Sequence, residues 1–422
     1  MKNIDVMKRM MSEKAMERTK GNASGFGEAL KRQRIKQGWT QEALAHGLCS
    51  VSYFSKIENN RLAPSDYFIE GVSRKIGVDL SFYTKTLNGN THIDAAVQAF
   101  FYEEFDKLAA LREAVSKAHH QSSNDLFDLF LSVAHKKTQI SATHIRALRS
   151  HLNTMDPLVA YTFLTLWGLH EVECEKYSLA QMLMEIVEPF NGLNDKLDAL
   201  SQSVRFLSAQ ALNKTLLSME YYALAMQAYQ RLHGFQRAIH LELKLLYYMI
   251  EECPKTAHKR FMTLKTSIPG TWVSLKQYID VALKVRLNTV TAKDFDAIDH
   301  ALKDKYYYET LALFPKSLLS DAQKSVLSDA FENVNPKFKL YKIRHEANMR
   351  TDAERHAYMR RVALPTAIEH ESVYNIKTYT NELVEEASNN ARYKDALALI
   401  KKRDKAIEKL QSGKAYQFTT KF

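Results

Sequence analysis

Glycine and proline, the residues that most often interrupt regular structure, are scarce in this chain. Only 13 glycines and 8 prolines occur among 422 residues, below the usual shares of about 7% and 5%. From Phe100 onward, segments of about 12 to 18 residues carry apolar side chains three and four positions apart, which is the spacing of an amphipathic helix. No convincing stretch alternates with the period of two that a half-buried strand requires. We therefore expect an all-α protein.

Composition excludes several classes of protein. A hydrophobic share of 45% and a charged share of 25% are ordinary for globular proteins, so wholesale disorder is excluded. The longest apolar stretch, Pro157 to Leu169, is shorter than the roughly 20 residues of a membrane-spanning helix, and the first residues do not resemble an export signal. We expect a cytoplasmic protein without membrane contact.

Charge and cysteine content narrow the choice of partner. The net charge of +11 favours an anionic partner, nucleic acid above all, although many basic proteins bind none. The three cysteines lie far apart, so we expect neither a disulfide framework nor a metal site. No glycine-rich phosphate loop, zinc-protease motif or nucleophile elbow occurs, and we expect no cofactor, no catalytic residue and no enzyme activity.

Four parts follow one another along the chain. Residues 1–24 are rich in Met, Lys and Glu and lack a strong apolar face, which predicts a flexible arm. Residues 25–84 hold the sharpest local pattern, residues 85–97 are a polar linker, and residues 98–422 are a long series of helical segments.

Several short helices are predicted in residues 25–84. Gly38 would end the first helix and Thr40 would cap the second, while Ser50 would cap a third helix, Val51 to Glu58. Pro64 and Ser65 would start a fourth helix, which Gly77 would end. The spacing of the apolar residues predicts one shared core, formed by Leu30, Leu44, Ala45, Leu48, Phe54, Ile57, Ile69, Val72 and Ile76.

These residues resemble the helix-turn-helix domain of phage-repressor-type (Cro-like, or XRE) transcription factors. The matching positions are Leu30, Lys31, Arg34, Gly38, Thr40, Gln41, Leu44 and Ala45, followed by Ser52, Ser55, Ile57, Glu58, Pro64 and Ser65. In that family the third helix lies in the major groove of double-stranded DNA. The resemblance therefore implies that DNA is a partner of this chain.

Individual roles in DNA binding follow from the resemblance. Gln41 would bind a phosphate, Ser52, Tyr53 and Lys56 would face base edges, and Asn60 and Arg61 would bind the DNA backbone. Asn60 stands where the family usually has glycine, a substitution that asparagine tolerates because it adopts positive φ readily. The full set of predicted DNA-binding residues is Thr40, Gln41, Ser50, Ser52, Tyr53, Lys56, Asn60 and Arg61.

A structural ion pair is also implied. The family pairs the positions of Arg34 and Glu58, and such a partly buried pair would hold the first helix against the third. The alternative is that these helices form only a packing unit without DNA contacts. In that case the exposed face of the third helix would be apolar, whereas its residues here are polar and cationic.

The long C-terminal region carries a faint helical-hairpin pattern. In three segments of the sequence, called windows here, an aromatic residue stands at a predicted hairpin turn and an alanine follows three residues later. This pattern is typical of tetratricopeptide-like (TPR) arrays, which have a period near 34 residues. The three windows end at the pairs Tyr177 and Ala180, Phe235 and Ala238, and Tyr393 and Ala396. We expect a right-handed TPR-like solenoid, with a generic helical bundle as the alternative.

A solenoid leaves an extended concave surface that suits a peptide. Asn and Gln side chains can satisfy both the N–H and the C=O groups of a bound backbone. The predicted peptide-binding residues are Gln210, Asn213, Gln227, Gln277 and Asn288. We interpret the many tyrosines, including Tyr247–Tyr248 and Tyr306–Tyr308, mostly as packing between helices.

The architecture as a whole, a Cro-like domain followed by about nine hairpins, resembles the Rap–Rgg–NprR–PlcR–PrgX family of peptide-pheromone regulators of Gram-positive bacteria. That resemblance implies a homodimeric transcriptional regulator used in quorum sensing, in which a short signalling peptide bound to the TPR-like domain (residues 98–422) sets the separation of two DNA-binding heads. The alternative is an adaptor whose repeats sequester a partner protein, with DNA binding secondary.

Overall fold

The computed structural model describes residues 8–9, 11–13, 26–59, 62, 64–78, 92–116, 121–152, 155–301, 303–332, 334–335 and 338–412. Over these ranges the regular structure consists of helices without a strand, as the sparse glycine and proline content predicts. None of the helices described here combines the length and the apolar character that crossing a bilayer demands.

Four helices form the N-terminal domain, and their ends are set by local chemistry. They are α1 (Phe26–Lys36), α2 (Gln41–Ala45), α3 (Val51–Glu58) and α4 (Asp66–Ile76). The backbone of Gly77 after α4 has φ 70°, a left-handed conformation that glycine adopts without the clash of a Cβ. The predicted limits of α3 and the predicted stop at Gly77 are confirmed.

The core of this domain closely follows the apolar spacing of the sequence. Its buried members are Phe26, Leu30, Leu44, Ala45, Phe54, Ile57, Phe68, Ile69, Val72 and Ile76. Leu48 is only partly buried against the cluster. The aromatic rings of Phe26 and Phe54 both meet the ring of Phe68 edge-on, with centroid distances of 6.3 and 5.8 Å, so Phe68 is the centre of a core in which the sequence pattern had not placed it.

Four further helices and most of a fifth belong to the first of two compact units. They are α5 (residues 92–101), α6 (Phe105–Ser116), α7 (Gln121–Ala134), α8 (Thr138–Arg149) and the greater part of α9 (Pro157–Glu173). Residues 92–97 were predicted as the end of the linker, and that prediction was wrong. They begin α5 instead, because Ile93, Ala96 and Val97 are buried as an amphipathic helical face.

The predicted arm, residues 1–24, falls mostly outside the described residues. The short part that is described, residues 8–9 and 11–13, is helical. Met11 is fully buried, and Lys8 Nζ lies 2.7 Å from a carboxylate oxygen of Glu185. This part of the arm therefore packs within the first unit.

The boundary between the two units falls within the predicted repeat region. The first unit contains the described residues up to His170 together with Leu183–Asp198, and the second contains Glu171–Met182 and the described residues from Ala199 onward. The remaining helices are α10 (Tyr177–Ile186), α11 (Asp195–Ala211), α12 (Thr215–Arg231), α13 (Phe235–Glu252), α14 (Pro254–Leu264), α15 (Val273–Arg286), α16 (Ala292–Asp296), α17 (Lys305–Leu313), α18 (Asp321–Glu332), α19 (Lys339–Asn348), α20 (Asp352–Tyr358), α21 (Leu364–Glu369), α22 (Val373–Asn389) and α23 (Tyr393–Gln411).

Alternate helices of the second unit form one layer. Helix α13 packs against α15, α15 against α17, and α17 against α19. The helices α13, α15, α17, α19 and α22 begin at residues 235, 273, 305, 339 and 373, so their starts are 38, 32, 34 and 34 residues apart. This spacing agrees with a repeat of about 34 residues, the length of a TPR hairpin.

The three hairpin windows of the sequence also lie at helix–turn–helix junctions. Phe235 and Tyr393 are the first residues of α13 and α23, and Tyr177 is the first residue of α10. Ala180 and Ala396 are buried, as expected for small side chains where helices cross, whereas the rings of Phe235 and Tyr393 are more than half exposed. The aromatic residue therefore marks the turn at these two junctions without being part of the core.

Candidate functional site

One buried carboxylate joins three helices of the N-terminal domain. Glu58, at the end of α3, is only 2% exposed. Its Oε1 accepts a hydrogen bond from Arg34 Nε of α1 at 2.8 Å, and its Oε2 accepts one from the amide nitrogen of Gln41 at the start of α2. Arg34 also donates to the carbonyl oxygen of Trp39 at 2.9 Å. The ion pair implied by the resemblance is thus present, and both carboxylate oxygens are satisfied, as a buried charge requires.

Helix α3 presents a polar side outward from this anchored position. Phe54 and Ile57 are buried in the core, whereas Ser52 and Lys56 are exposed. Tyr53 is half-buried, because its ring packs edge-on against Phe68 at a centroid distance of 5.8 Å. The exposed residues of α3 are therefore the polar Ser52 and Lys56 together with Val51 at its first turn, with the half-buried Tyr53 beside them.

Two exposed hydroxyl groups cap the N-termini of α2 and α3. Thr40 Oγ1 accepts a hydrogen bond from the backbone N–H of Ala43 at 3.1 Å, and Ser50 Oγ accepts one from that of Tyr53 at 3.2 Å. Both residues are exposed. Each hydroxyl keeps its own proton after accepting a capping bond, so it can still donate to an anion.

Three predicted DNA-binding residues remain: Gln41, whose side chain is described, and Asn60 and Arg61, which are not. The amide of Gln41 is engaged by Glu58, but an amide nitrogen carries two protons, so a second bond to a phosphate is compatible with this geometry. Asn60 and Arg61 lie outside the described residues. All of these DNA contacts stay predictions.

Two of the five predicted peptide-binding amides lie together in one turn. Gln210 is near the end of α11, and its carbonyl oxygen accepts a hydrogen bond from the backbone N–H of Asn213 at 3.0 Å. The side chain of Gln210 accepts a hydrogen bond from Ser218 Oγ at 2.5 Å, and that of Asn213 accepts one from Lys377 Nζ at 2.5 Å. Both amides are thus engaged within the second unit.

The other three amides lie elsewhere in the second unit. Gln227 is on the exposed face of α12, and Gln277 donates to the carbonyl oxygen of Ala297 at 2.9 Å. Asn288 is exposed in the turn after α15, with φ 56°. The structure brings only Gln210 and Asn213 into contact, and the peptide-binding role of all five stays a prediction.

A cluster of tyrosines in the layer of alternate helices was not predicted as a candidate site. Tyr247 of α13, Tyr278 of α15 and Tyr306 of α17 contact one another, with ring centroids 5.1 to 6.2 Å apart. We call these three residues the tyrosine cluster. Tyr306 and Tyr278 are buried, as the packing interpretation expects, but the polar ends of the rings meet charged side chains.

An ion pair lies beside the tyrosine cluster. Lys305 of α17 pairs with Glu175, which precedes α10, and Tyr341 of α19 donates to the same carboxylate at 3.1 Å. Burial alone would raise the pKa of Glu175, but the neighbouring Lys305 outweighs it and holds that pKa below its usual value. Burial would likewise lower the pKa of Lys305, and the Glu175 carboxylate reverses this, so the pair is charged.

Three more ionisable groups face the cluster with less complete pairing. Lys244 of α13 donates to the Tyr306 hydroxyl, with its Nζ 5.1 Å from the ring centroid. Glu309 of α17 accepts from the Tyr247 hydroxyl at 2.7 Å. The guanidinium of Arg344 of α19 lies 5.7 Å from the centroid of the Tyr374 ring. These groups give the tyrosine cluster polar and charged partners within an otherwise apolar layer.

Helical spacing is the signal that could have identified this surface. On α13, Tyr247 and Tyr248 lie three and four residues after Lys244, and Glu251 lies four and three residues after these tyrosines, so the four residues share one face. The same interval separates Tyr306 from Glu309, and Tyr341 from Arg344. A face that mixes tyrosines with charges at this spacing is unusual for core packing alone.

Comparison with known proteins gives a family match and a structural similarity. Residues 30–92 match the family model described as helix-turn-helix, so this part of the chain is a helix-turn-helix domain. No curated protein matches the chain. Among solved structures, the crystal structure of Bacillus thuringiensis PlcR in complex with the peptide PapR7 and DNA is similar over 63% of this chain and 96% of that chain, with 14% sequence identity and a TM-score of 0.33.

Proposed function

We propose that this protein is a transcriptional regulator that binds double-stranded DNA through α3, and that a short signalling peptide bound by the second unit controls this binding. The observation that carries the DNA part is the outward polar side of α3, with Ser52 and Lys56 exposed, on a helix whose inner side is fixed to α1 and α2. A rigidly held helix with exposed polar side chains fits the major groove, where base edges present donors and acceptors.

The surrounding groups suit the DNA backbone. The exposed hydroxyls of Thr40 and Ser50 lie at the starts of α2 and α3, and hydroxyl donors of this kind commonly bind phosphate oxygens and fix the register of a protein on the duplex. Lys56 is the exposed cation of α3, and a lysine can donate to the O6 and N7 acceptors of guanine. In this proposal Lys56 recognises the base sequence, and the hydroxyls of Thr40 and Ser50 position the domain on the DNA backbone.

Control by a peptide is supported by the second unit. Its alternate helices form a layered array in which each first helix packs against the next, and such arrays present extended surfaces to peptides. Tyrosines are effective contacts for peptides, because a large ring with one polar end binds at a low cost in side-chain entropy. The tyrosine cluster supplies such rings within one layer, where Tyr247 is half-buried.

A homodimer completes the proposal. A helix-turn-helix domain presents one reading helix, and proteins of this kind commonly use two such helices on half-sites one helical turn of DNA apart. A peptide that changes the second unit in each copy would change the separation of the two reading helices. The proposed regulation is this change of separation.

Selection from random DNA tests the proposed function and yields the sequence of the operator in the same experiment. Full-length protein would be used to enrich a pool of random duplexes, with Lys56→Ala in parallel and Lys36→Ala, an exposed lysine of α1, as the matched control. We expect wild type and Lys36→Ala to enrich one motif with two related half-sites, and Lys56→Ala to enrich this motif much less strongly. Enrichment of no motif by the wild type would refute DNA recognition and favour the adaptor alternative.

A further inference from the structure

We propose that the second unit recognises a peptide with carboxylate groups, and that Lys244 and Arg344 are the cations that bind them. This inference rests on the proposed function in taking a peptide as the ligand. It names the charge class of that peptide and its place in the fold, at the tyrosine cluster and not at the five predicted amides.

Unsatisfied positive charge is the first observation. Among the described residues, no carboxylate oxygen lies within 4.0 Å of the side-chain nitrogens of either Lys244 or Arg344. Both side chains are half-buried and contact tyrosines: the Tyr306 hydroxyl and ring for Lys244, and the Tyr374 ring for Arg344. A partly desolvated cation without an acid gains more from an incoming carboxylate than an exposed cation does.

Other cations of the second unit, unlike Lys244 and Arg344, are paired with carboxylates. Lys305 on α17 pairs with Glu175, and Arg286 on α15 pairs with Glu251. Glu175 and Glu251 are thus already engaged by other cations. Lys244 and Arg344 are half-buried basic groups of α13 and α19 that keep a capacity for an anion.

An unsatisfied acceptor is the second observation, and it is independent of the first. Glu309 is 2% exposed, and while its Oε1 accepts from Tyr247, its Oε2 is buried without a hydrogen-bond partner in the part of the chain that the structure describes. Leaving such an acceptor unpaired is unfavourable. A ligand with N–H donors would remove this cost.

Burial of Lys244 supports the same conclusion. Burial lowers the pKa of Lys244, although the carboxylates of Glu173 and Glu175 oppose this shift. A carboxylate bound beside Lys244 would stabilise the charged form of this lysine. The site is therefore complementary to an acidic ligand.

Together these groups define the chemistry of the ligand. A peptide offers backbone N–H groups for Glu309 and carboxylates for the two cations, which a simple anion does not combine. Tyr177, Lys244, Tyr248 and Tyr306 already surround a cavity of about 20 Å³, the space of about one water molecule. The peptide would therefore displace tyrosine contacts such as that between Lys244 and Tyr306.

Retention of synthetic peptides by the full-length protein tests this inference. The probes are three pools of short random peptides without basic residues: one with a free C-terminal carboxylate and no acidic side chain, one C-terminally amidated with a single Glu, and one amidated with no acid. Mass spectrometry would measure the peptides that co-elute with the protein. We expect at least one of the two carboxylate pools to be enriched about tenfold over the neutral amide pool, and their comparison identifies which carboxylate is bound.

Matched variants assign the effect to the two cations. Lys244→Gln and Arg344→Gln should each reduce the enrichment several-fold, whereas Lys259→Gln, which removes the same charge from an exposed position of α14, should not. Arg344→Lys keeps the charge and should keep most of the preference, which separates loss of charge from loss of folding. Equal retention of all three pools by the wild type, or undiminished preference in both Gln variants, would overturn the proposal.

The same samples separate this inference from the proposed function. DNA affinity would be measured with each pool present. If the carboxylate pools bind at the two cations but DNA affinity does not change, the site stands and peptide control fails. If DNA affinity responds equally to the neutral amide pool, peptide control stands and the carboxylate site fails.

Discussion

Arg34 Nε lies 2.8 Å from Oε1 of Glu58. This contact links α1 to the end of α3, where the Glu58 side chain is 1% exposed and that of Arg34 is 14% exposed. Because Glu58 is buried, its charge depends on these partners. The orientation of α3, and with it the outward direction of Lys56, therefore depends on two residues that need not touch DNA.

Replacing Arg34 with alanine tests this dependence. Among the described residues, the variant leaves the buried Glu58 with Gln41 as its side-chain partner, and breaking a buried pair in this way costs about 3 kcal/mol. Amide hydrogen exchange of α3 in the full-length protein should then be about a hundredfold faster. Lys31→Ala, at an exposed position of α1, is the control and should exchange as the wild type does. Equal exchange in the Arg34 variant would show that the pair does not hold α3.

Lys56 and Arg61 should differ in the kind of DNA binding they support. Lys56→Ala removes a proposed base contact and should cost about 1–3 kcal/mol on the recognised sequence with little effect on other sequences. Arg61→Ala removes a proposed phosphate contact and should weaken binding to all sequences evenly, with a salt slope lower by about 1. Fluorescence anisotropy on specific and random duplexes measures both. A uniform loss for Lys56→Ala would place that lysine on the DNA backbone.

The stability of the second unit should respond to Glu309 with a defined sign. A carboxyl whose pKa is raised in the folded state contributes stability that is present below the unfolded pKa, near 4.5, and lost as the pH rises through the folded value. Glu309→Gln retains an acceptor for Tyr247 and removes this titration. The melting temperature of the variant relative to wild type should therefore increase as the pH rises from 4.5 toward neutrality. A difference that is constant or that decreases over this range contradicts the burial argument.

Deletion of residues 1–84 should leave a folded helical protein that is still dimeric. The second unit has its own apolar clusters, one of which is centred on Leu246, Phe261 and Ile279, so its helices do not require the N-terminal domain for a core. Circular dichroism and light scattering would measure folding and mass. A folded monomer would place the dimer contact in the N-terminal domain and contradict the proposed mode of regulation.

The N-terminal domain was largely predictable because its determinants are local. Thr40 and Ser50 cap helices within three residues, and Gly77 stops a helix by its own conformation. Phe68 was missed, since its place in the core depends on how α4 packs across α1 and α3. The engagement of Gln41 by Glu58 was missed for a similar reason: the two residues are 17 positions apart, and an amide side chain does not reveal its partner in advance.

The helical array of the second unit could be predicted from the sequence, but the residues of its candidate peptide-binding site could not. The repeat length of about 34 residues follows from hairpin geometry, and the helix starts agree with it. Which side chains face the same surface depends on the rotation of each helix about its axis, and degenerate repeats do not fix this. Residue type alone favoured amides such as Gln277, whereas contacts between α13, α15 and α17 assemble Tyr247, Tyr278 and Tyr306.

The most direct test of the central claim, that the outer side of α3 reads DNA, is the affinity of the full-length protein for two duplexes of equal length as salt is varied. One duplex carries the selected motif and the other carries the same bases in scrambled order. We predict that log affinity falls linearly with log salt for both, because phosphate contacts release counterions, and that the motif is preferred by about a thousandfold or more at physiological salt. Lys56→Ala should reduce this preference by about ten- to a hundredfold. Equal affinities of the wild-type protein for both duplexes would contradict the account.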